Sequence, residues 1–302
     1  MSRIDQALKQ AGASVPATAA TAAWEPSDDL ANFPAASDAE PDPDTPARHH
    51  LPLPKAPQRT ASRRSLGSSM ERLVISPSVE TVAVEQYRRL AAVLHQAQAS
   101  SDIKVVMVAS AEPWEGKSLT AANLALTLSE SYKRRVLLVD ADLRSPSLDM
   151  VFQIPHGPGL SESLRAREEQ PLNVVNLSPA LALLPGGEAD ADPMASLTSG
   201  RMQEIIQEAA ANFDWVILDT PPVGLITDAH LLAAMVDATV LVIGAGSAQC
   251  GAVQRAIESI GREKIVGVVL NRVAGGTMAA SYYNYRASGG PRRDTTIPGV
   301  SG

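Results

Sequence analysis

The sequence predicts a one-domain α/β sandwich, in which a mostly parallel sheet is flanked by helices, with an unfolded extension at each end. Three observations lead to this prediction. Beyond residue 80, strand-like apolar runs alternate with helical stretches. Those runs are continuously apolar, which is typical of parallel strands buried on both faces. The first run leads into a loop that ends in Gly116-Lys117-Ser118, where a helix begins.

The elements follow one another in the order expected for a parallel sheet. An amphipathic helix is predicted at 84–99, where Tyr87, Leu90 and Leu94 share a face. The predicted strands are 103–108, 135–139, 181–184, 215–218, 238–243 and 265–270. The other predicted helices are 119–132, 201–212, 229–236 and 249–259. Open sheets of this kind bind ligands beyond the carboxyl ends of their strands, so the residues there are the candidates for chemistry.

The two ends of the chain differ from its middle in composition. Residues 1–70 are crowded with Ala, Pro, Ser and Asp, and are predicted to form a disordered extension. Residues 71–275 are predicted to form the folded domain, and 276–302 a mobile tail that contains a tyrosine cluster. Within the extension, residues 1–12 place Ile4 and Leu8 on one helical face. Both a short helix that docks on a partner and a fraying terminal turn are compatible with that pattern.

Bulk properties exclude several classes of protein. The formal net charge of −7 argues against a general nucleic-acid binder. We find no signal peptide and no apolar run long enough to span a membrane, so we expect a cytoplasmic protein. The single cysteine, Cys250, rules out an internal disulfide and a cysteine metal cluster.

Residues 111–118 have the pattern of a phosphate-binding loop, which we call the phosphate loop. Backbone N–H groups of such a loop cradle a polyphosphate, Lys117 reaches the β- and γ-phosphates, and the Ser118 hydroxyl binds Mg²⁺. Ala111 stands where the usual pattern has its first glycine. The predicted cofactors are ATP and Mg²⁺, and the predicted nucleotide contacts in this region are Ala111, Glu115, Gly116, Lys117, Ser118 and Leu119.

Two further strand ends carry acidic residues. Asp140 and Asp142 follow the second strand and share its parity, so both can point into one crevice, where they are suited to bind Mg²⁺ or accept a proton. Asp219 ends the apolar run W-V-I-L-D, as in a Walker B strand. Arg144 either stabilises phosphate charge or forms a salt bridge that fixes its loop. The predicted metal ligands are Ser118, Asp140, Asp142 and Asp219.

Taken together, these motifs resemble the bacterial protein-tyrosine kinases (BY-kinases) of capsular and exopolysaccharide synthesis. The resemblance covers about 84–285 and includes G-L-S-E-S-L at 159–164, L-L-P-G-G at 183–187 and G-V-V-L-N-R-V at 267–273. It implies a P-loop NTPase fold and a kinase that autophosphorylates a C-terminal tyrosine cluster in trans. The phosphoacceptors would then be Tyr282, Tyr283 and Tyr285.

The resemblance also implies roles and partners. Lys117, Asp140 and Asp142 would be catalytic, with Asp140 preferred over Asp142 as the base, and Asn271 would join Arg144 among the nucleotide contacts. The implied partners are a membrane-spanning chain-length-determinant protein that recruits and activates the kinase at the inner face of the plasma membrane, further copies in ring-like homo-oligomers, and a cognate tyrosine phosphatase.

Two positions depart from the family pattern. Trp114 replaces a small residue, where its ring could cover the nucleotide or perturb the loop backbone, and Ala91 replaces a basic residue of a helix motif that begins at Glu85 and Arg88. Two alternatives to the autokinase therefore stay open. One is a nucleotide-gated scaffold with weak kinase activity. The other is a partitioning or positioning ATPase, although such proteins carry a lysine where this chain has Glu112.

Overall fold

A computed structural model describes residues 70–166, 172–224 and 227–273. The predicted extension, its 1–12 helix and the tyrosines of the tail lie outside these residues. Within the described part, strands and helices alternate as predicted. The strands are β1 Val105–Ser110, β2 Val136–Asp140, β3 Val175–Asn176, β4 Leu181–Leu184, β5 Trp215–Asp219, β6 Ala238–Gly244 and β7 Ile265–Asn271.

The helices of the described residues fall into long and short groups. The long ones are α1 Thr81–Ser101, α2 Lys117–Glu130, α6 Gly200–Asn212, α7 Thr227–Met235 and α8 Cys250–Ile260. The short ones, α3 Leu148–Phe152, α4 Leu160–Arg165 and α5 Met194–Thr198, were not predicted. Five or six residues make fewer than two turns, and so short a segment shows no helical periodicity.

The strands form one sheet in the order β3-β4-β2-β5-β1-β6-β7. All neighbouring pairs are parallel except β3 and β4. The predicted α/β sandwich with a mostly parallel sheet is therefore confirmed. The antiparallel edge strand β3 was missed because its two residues are too short to show a strand pattern.

Both faces of the sheet are buried, which explains the continuous apolar runs. Along β1, Met107 packs on one side in a cluster with Leu137 and Val216, whereas Val106 and Val108 pack on the other. Alternate residues of a strand point to opposite faces, so every position of β1 needs an apolar side chain. None of the helices described is both long and apolar enough to cross a membrane.

Candidate active site

The site lies where three neighbouring strands end. β5 pairs with β1 on one side and with β2 on the other, and Asp219 is the register partner of both Val108 and Asp140. Asp140 and Asp219 are thus adjacent residues at the carboxyl edge of the sheet, and both are fully buried. Register pairing also gives them the same side of the sheet. The convergence predicted from the strand ends is therefore present for these two carboxylates.

The phosphate loop connects β1 to the first turn of α2, which begins at Lys117. Gly116 has a φ of 96°, and a Cβ atom there would lie 2.1 Å from Asn271 Nδ2. Glycine is required at this position both by its backbone conformation and by that close neighbour. Trp114 also has a positive φ, 66°, and its side chain is 85% exposed.

Glu115 is the buried anchor of the phosphate loop. Its Oε2 accepts a hydrogen bond from the Glu112 N–H at 2.8 Å, and its Oε1 accepts one from the Gly244 N–H at 2.9 Å. Asn271 Nδ2 donates to the Glu115 carbonyl at 2.8 Å. Sequence reasoning named Glu115 and Asn271 as nucleotide contacts. The structure shows both side chains holding the loop to the ends of β6 and β7.

The other loop positions have distinct environments. Ala111 is buried, and its carbonyl accepts a hydrogen bond from the Gly224 N–H at 3.2 Å. Leu119 is partly buried against the apolar cluster on one face of the sheet. The Ser118 hydroxyl accepts a hydrogen bond from the Ser147 hydroxyl at 3.3 Å. Ala111 and Leu119 are therefore packed against the body of the domain, and Ser118 lies beside the segment that follows β2.

Lys117 is paired with Asp142. Its Nζ lies 2.9 Å from Asp142 Oδ2, and the two side chains are only 13% and 7% exposed. Burial by itself would lower the pKa of the Lys117 ammonium, but the charges of Asp219, Asp142 and Asp140 together raise that pKa above its usual value. The Lys117 ammonium therefore stays protonated, and three carboxyl groups surround it.

Asp140 and Asp219 have oxygen atoms without partners. Asp140 Oδ2 accepts hydrogen bonds from the Ser147 N–H at 2.8 Å and the Leu148 N–H at 2.9 Å. Asp140 Oδ1 and both Asp219 oxygens accept no hydrogen bond of normal geometry from the residues that the structure describes. The Ser118 hydroxyl and the Thr220 N–H are nevertheless close enough to Asp219 to oppose the rise of its pKa. Burial, together with repulsion from Asp219, raises the pKa of Asp140 to about 8. Burial also raises the pKa of Asp219 to about 6, although the Lys117 charge opposes the rise.

These unpartnered oxygens fit a divalent cation. An unpaired buried carboxylate is costly, and a bound cation removes that cost. No three His, Cys, Asp or Glu side chains of the described ranges are grouped so as to hold a metal ion by themselves. That donor set suits a cation such as Mg²⁺, which typically takes one or two carboxylates and completes its shell with water and substrate phosphate.

Arg144 forms a two-point salt bridge with the buried carboxylate of Asp228, at the start of α7. Its Nε lies 2.5 Å from Asp228 Oδ2 and its Nη2 3.2 Å from Asp228 Oδ1. The Asp228 carboxylate raises the pKa of the guanidinium above its usual value. Two roles were considered for Arg144. This geometry corresponds to the one in which a salt bridge fixes the loop after β2.

Two supporting contacts were missed by sequence reasoning. Asp228 gave no signal, because an acidic residue in the first turn of a helix is commonplace. Glu162 accepts hydrogen bonds from the Gly159 N–H at 2.6 Å and the Glu188 N–H at 3.1 Å. It thereby joins the G-L-S-E-S-L and L-L-P-G-G stretches, whose Gly186 lies against Pro146 and Asp140. Those stretches were recognisable as motifs, but only their contacts show what they do.

The phosphoacceptor candidates Tyr282, Tyr283 and Tyr285 lie outside the described residues. The last described residue, Val273, comes two positions after Asn271, which contacts the phosphate loop. The described part of the chain therefore ends close to the phosphate loop.

Comparisons with known proteins agree with this geometry. The ParA family model, described as "NUBPL iron-transfer P-loop NTPase", matches residues 102–280. The chain is 36% identical over 216 residues to the tyrosine-protein kinase YwqD of Bacillus subtilis, covering 70% of this chain and 90% of YwqD. It is 33% identical over 209 residues to the succinoglycan biosynthesis transport protein ExoP of Rhizobium meliloti, covering 67% of this chain and 26% of ExoP. The solved kinase domain of the Escherichia coli tyrosine kinase ETK superposes with a TM-score of 0.62 at 26% identity, covering 72% and 87% of the two chains.

Proposed function

Because the chain belongs to the BY-kinase branch of the ParA-type P-loop NTPases, we propose that its phosphate loop and buried carboxylates transfer the γ-phosphoryl group of ATP to tyrosines in the tail of a second copy. The chain is a protein-tyrosine autokinase of the class that serves exopolysaccharide or capsule synthesis, and it uses a nucleotide with a divalent metal ion. The observation that carries the proposal is the adjacency of Asp140 and Asp219 beside the Lys117–Asp142 pair.

Lys117 supplies the charge that holds the phosphates. In the structure its ammonium is balanced by Asp142, so binding of ATP exchanges one anionic partner for another. The backbone N–H groups of the phosphate loop and the first turn of α2 add further donors. A Mg²⁺ ion held by Ser118 and Asp219, with water and phosphate oxygens, would neutralise charge on the transferring group.

Asp140 is the proposed general base. Its Oδ1 lacks a partner in the described part of the chain. A cation bound beside Asp219 would favour the ionised form of Asp140, and this form is the one that accepts a proton from a hydroxyl. As the tyrosine oxygen forms its bond to the γ-phosphorus, the bond to the β-γ bridging oxygen breaks and the tyrosine proton passes to Asp140 Oδ1. ADP is the leaving group, and the product is phosphotyrosine.

The proposed acceptors are Tyr282, Tyr283 and Tyr285, and the proposed partners follow from the family. Because the relatives of this chain include a polysaccharide transport protein, ExoP, we expect this kinase to act with a membrane-spanning chain-length determinant. That partner would recruit and activate it at the inner face of the plasma membrane. Oligomeric rings and a cognate tyrosine phosphatase belong to the same proposal.

One structural detail bears on the proposed ring. Glu85 and Arg88 form an ion pair of 2.6 Å along α1, whereas Ala91, the third position of that helix motif, is fully buried. A long basic side chain at position 91 would have to leave the core. Ring contacts in this protein would therefore rely on the first two motif positions and on other surfaces.

The test is an autophosphorylation assay on the purified full chain with Mg·ATP, read by phosphotyrosine mass spectrometry, with and without the cytosolic segment of the membrane partner. Phosphate on the tail tyrosines that disappears in Lys117→Met and Asp140→Asn supports the proposal. ATP hydrolysis without phosphotyrosine under both conditions would instead indicate a nucleotide-gated scaffold. Glu112, at the position where partitioning ATPases carry a lysine, argues against that other class.

A further inference from the structure

Neither the backbone conformation nor burial in the core favours a tryptophan at position 114. Its φ of 66° lies in the left-handed region, which disfavours bulky side chains. Burial usually compensates a tryptophan, as it does for the fully buried Trp215 on β5. The Trp114 side chain is instead 85% exposed. A residue that is strained and unburied within a phosphate loop indicates a role in binding.

The position of Trp114 restricts what it can bind. It precedes Glu115, whose two carboxylate oxygens hold the loop backbone, and it lies three residues before Lys117. The phosphates of a nucleotide contact the backbone N–H groups of such a loop and the lysine. The exposed indole therefore belongs to the same loop as these phosphate contacts and is accessible to a second macromolecule.

We propose that Trp114 is the docking residue for the acceptor, and that its indole stacks on a tyrosine ring in the tail of a second copy of this chain. The inference rests on the proposed function and deepens it by naming how the acceptor is recognised. Tyr282, Tyr283 and Tyr285 place three rings within four residues, so one ring can stack while another hydroxyl is presented for transfer. Aromatic pairs of this kind favour offset-stacked or edge-to-face contacts.

The place where the described chain ends supports the tail as the occupant. Asn271, two residues before the last described residue, donates a hydrogen bond to the Glu115 carbonyl next to Trp114. The described part of each chain therefore ends, at Val273, two residues beyond a contact with its own phosphate loop. Tyr282 follows Val273 by about nine residues, a reach of roughly 30 Å when extended. The proposed transfer in trans makes a second copy the source of the tail that is docked.

The test separates the enzyme from the acceptor. The enzyme is the full chain with Tyr282, Tyr283 and Tyr285 changed to Ala, so that its own tail gives no signal and offers no ring. It is prepared with Trp114, with Trp114→Phe and with Trp114→Gly. Glycine suits the positive φ, so this variant removes the ring without endangering the loop. The acceptor is the full chain carrying Lys117→Met, which can be phosphorylated only in trans.

We expect Trp114→Gly to raise the KM for the acceptor about threefold to tenfold, as loss of an aromatic pair predicts. The KM of Trp114→Phe should be close to that of the enzyme with Trp114. The rise in acceptor KM should exceed any change in the KM for ATP. If the KM for ATP rises and the acceptor KM does not, Trp114 covers the nucleotide and the inference is wrong. The inference would also be wrong if neither the KM for the acceptor nor the KM for ATP changed.

A binding measurement separates failure of docking from failure of the kinase function. Trp114 fluorescence is followed in a Trp24→Phe background while a peptide of residues 279–288 is added. We expect a change with this peptide, none with the analogue in which alanines replace the tyrosines, and none in Trp114→Gly. Such a response without any phosphotyrosine formation would support docking while refuting the kinase proposal. Equal responses to both peptides would refute docking, whatever the kinase activity.

Discussion

Lys117 and Asp142 form a nearly buried ion pair, with Nζ 2.9 Å from Oδ2, in the candidate active site. The lysine comes from the first turn of α2 and the aspartate from the segment after β2. The pair joins the phosphate loop to the loop that contains the proposed general base. Asp142 thus provides Lys117 with a negative charge of the kind that the phosphates of ATP would also provide.

We expect Asp142→Asn to lower the free energy of unfolding of the nucleotide-free protein by about 2 kcal/mol, because Lys117 loses its closest counter-charge in a buried setting. Saturating ADP should reduce this difference, since phosphates replace the lost carboxylate. Urea denaturation with and without ADP measures both values. Glu130→Gln is the matched control, because it removes an exposed ion pair to Lys133 and should change stability by less than about 1 kcal/mol. A loss that ADP leaves unchanged would contradict this account of Asp142.

The raised pKa values of Asp140 and Asp219 predict how stability depends on pH. The folded protein holds these protons up to about pH 8 and about pH 6, whereas the unfolded chain releases them near 3.8. The folded state therefore binds more protons in that window, and the free energy of unfolding falls as pH rises from about 4 to 8. Denaturation at several pH values, with a chelator and without nucleotide, measures this slope.

In Asp140→Asn, the free energy of unfolding should depend less steeply on pH. At pH 8 without metal we expect the substitution to stabilise the protein by about 1 kcal/mol or more, because a buried charge and its repulsion from Asp219 are removed. The same variant should abolish phosphoryl transfer. Glu208→Gln, on the exposed face of α6, serves as the control for a simple change of net charge. A slope identical in wild type and Asp140→Asn would mean that Asp140 does not titrate in this range.

Glu115→Ala should cost about 2–4 kcal/mol of stability, because it leaves the N–H groups of Glu112 and Gly244 without their acceptor. The KM for ATP should rise as well, since the loop loses its anchor. Glu115→Gln keeps one acceptor oxygen and should show a smaller loss of both. Equilibrium denaturation and initial-rate kinetics provide the two measurements. A rise in the KM for ATP without any loss of stability would instead indicate that Glu115 contacts the nucleotide directly.

The salt bridge between Arg144 and Asp228 allows the two roles of Arg144 to be distinguished. Asp228→Asn and Arg144→Gln each break the two-point contact, and we expect each to lower stability by about 2 kcal/mol. If the salt bridge is the whole role of Arg144, both variants will reduce kcat to a similar extent. If Arg144 also contacts phosphate, Arg144→Gln will lose at least tenfold more kcat than Asp228→Asn.

Sequence patterns were sufficient for the elements that repeat a simple period. The continuous apolar runs predicted β1, β2, β4, β5, β6 and β7 within about two residues of their observed ends, because burial on both faces leaves a pattern in the strand itself. They were insufficient for α3, α4, α5 and β3, which are too short for a period to appear. Asp140 and Asp219 were predicted to converge because each ends a strand, and parallel strands bring those ends to one edge of the sheet.

By itself, the sequence determined which side chains are available at the carboxyl edge, and through its motifs which family the chain belongs to. Only the tertiary structure decided what several of them contact. Arg144 meets Asp228 across 84 positions, Glu115 meets Gly244 across 129, and Asn271 meets Glu115 across 156. Such pairs are set by the order and register of the strands, which no local pattern encodes. The same is true of Trp114: the sequence showed an unusual residue, and the fold showed that it has a strained backbone, is exposed and is next to Glu115, which Asn271 contacts.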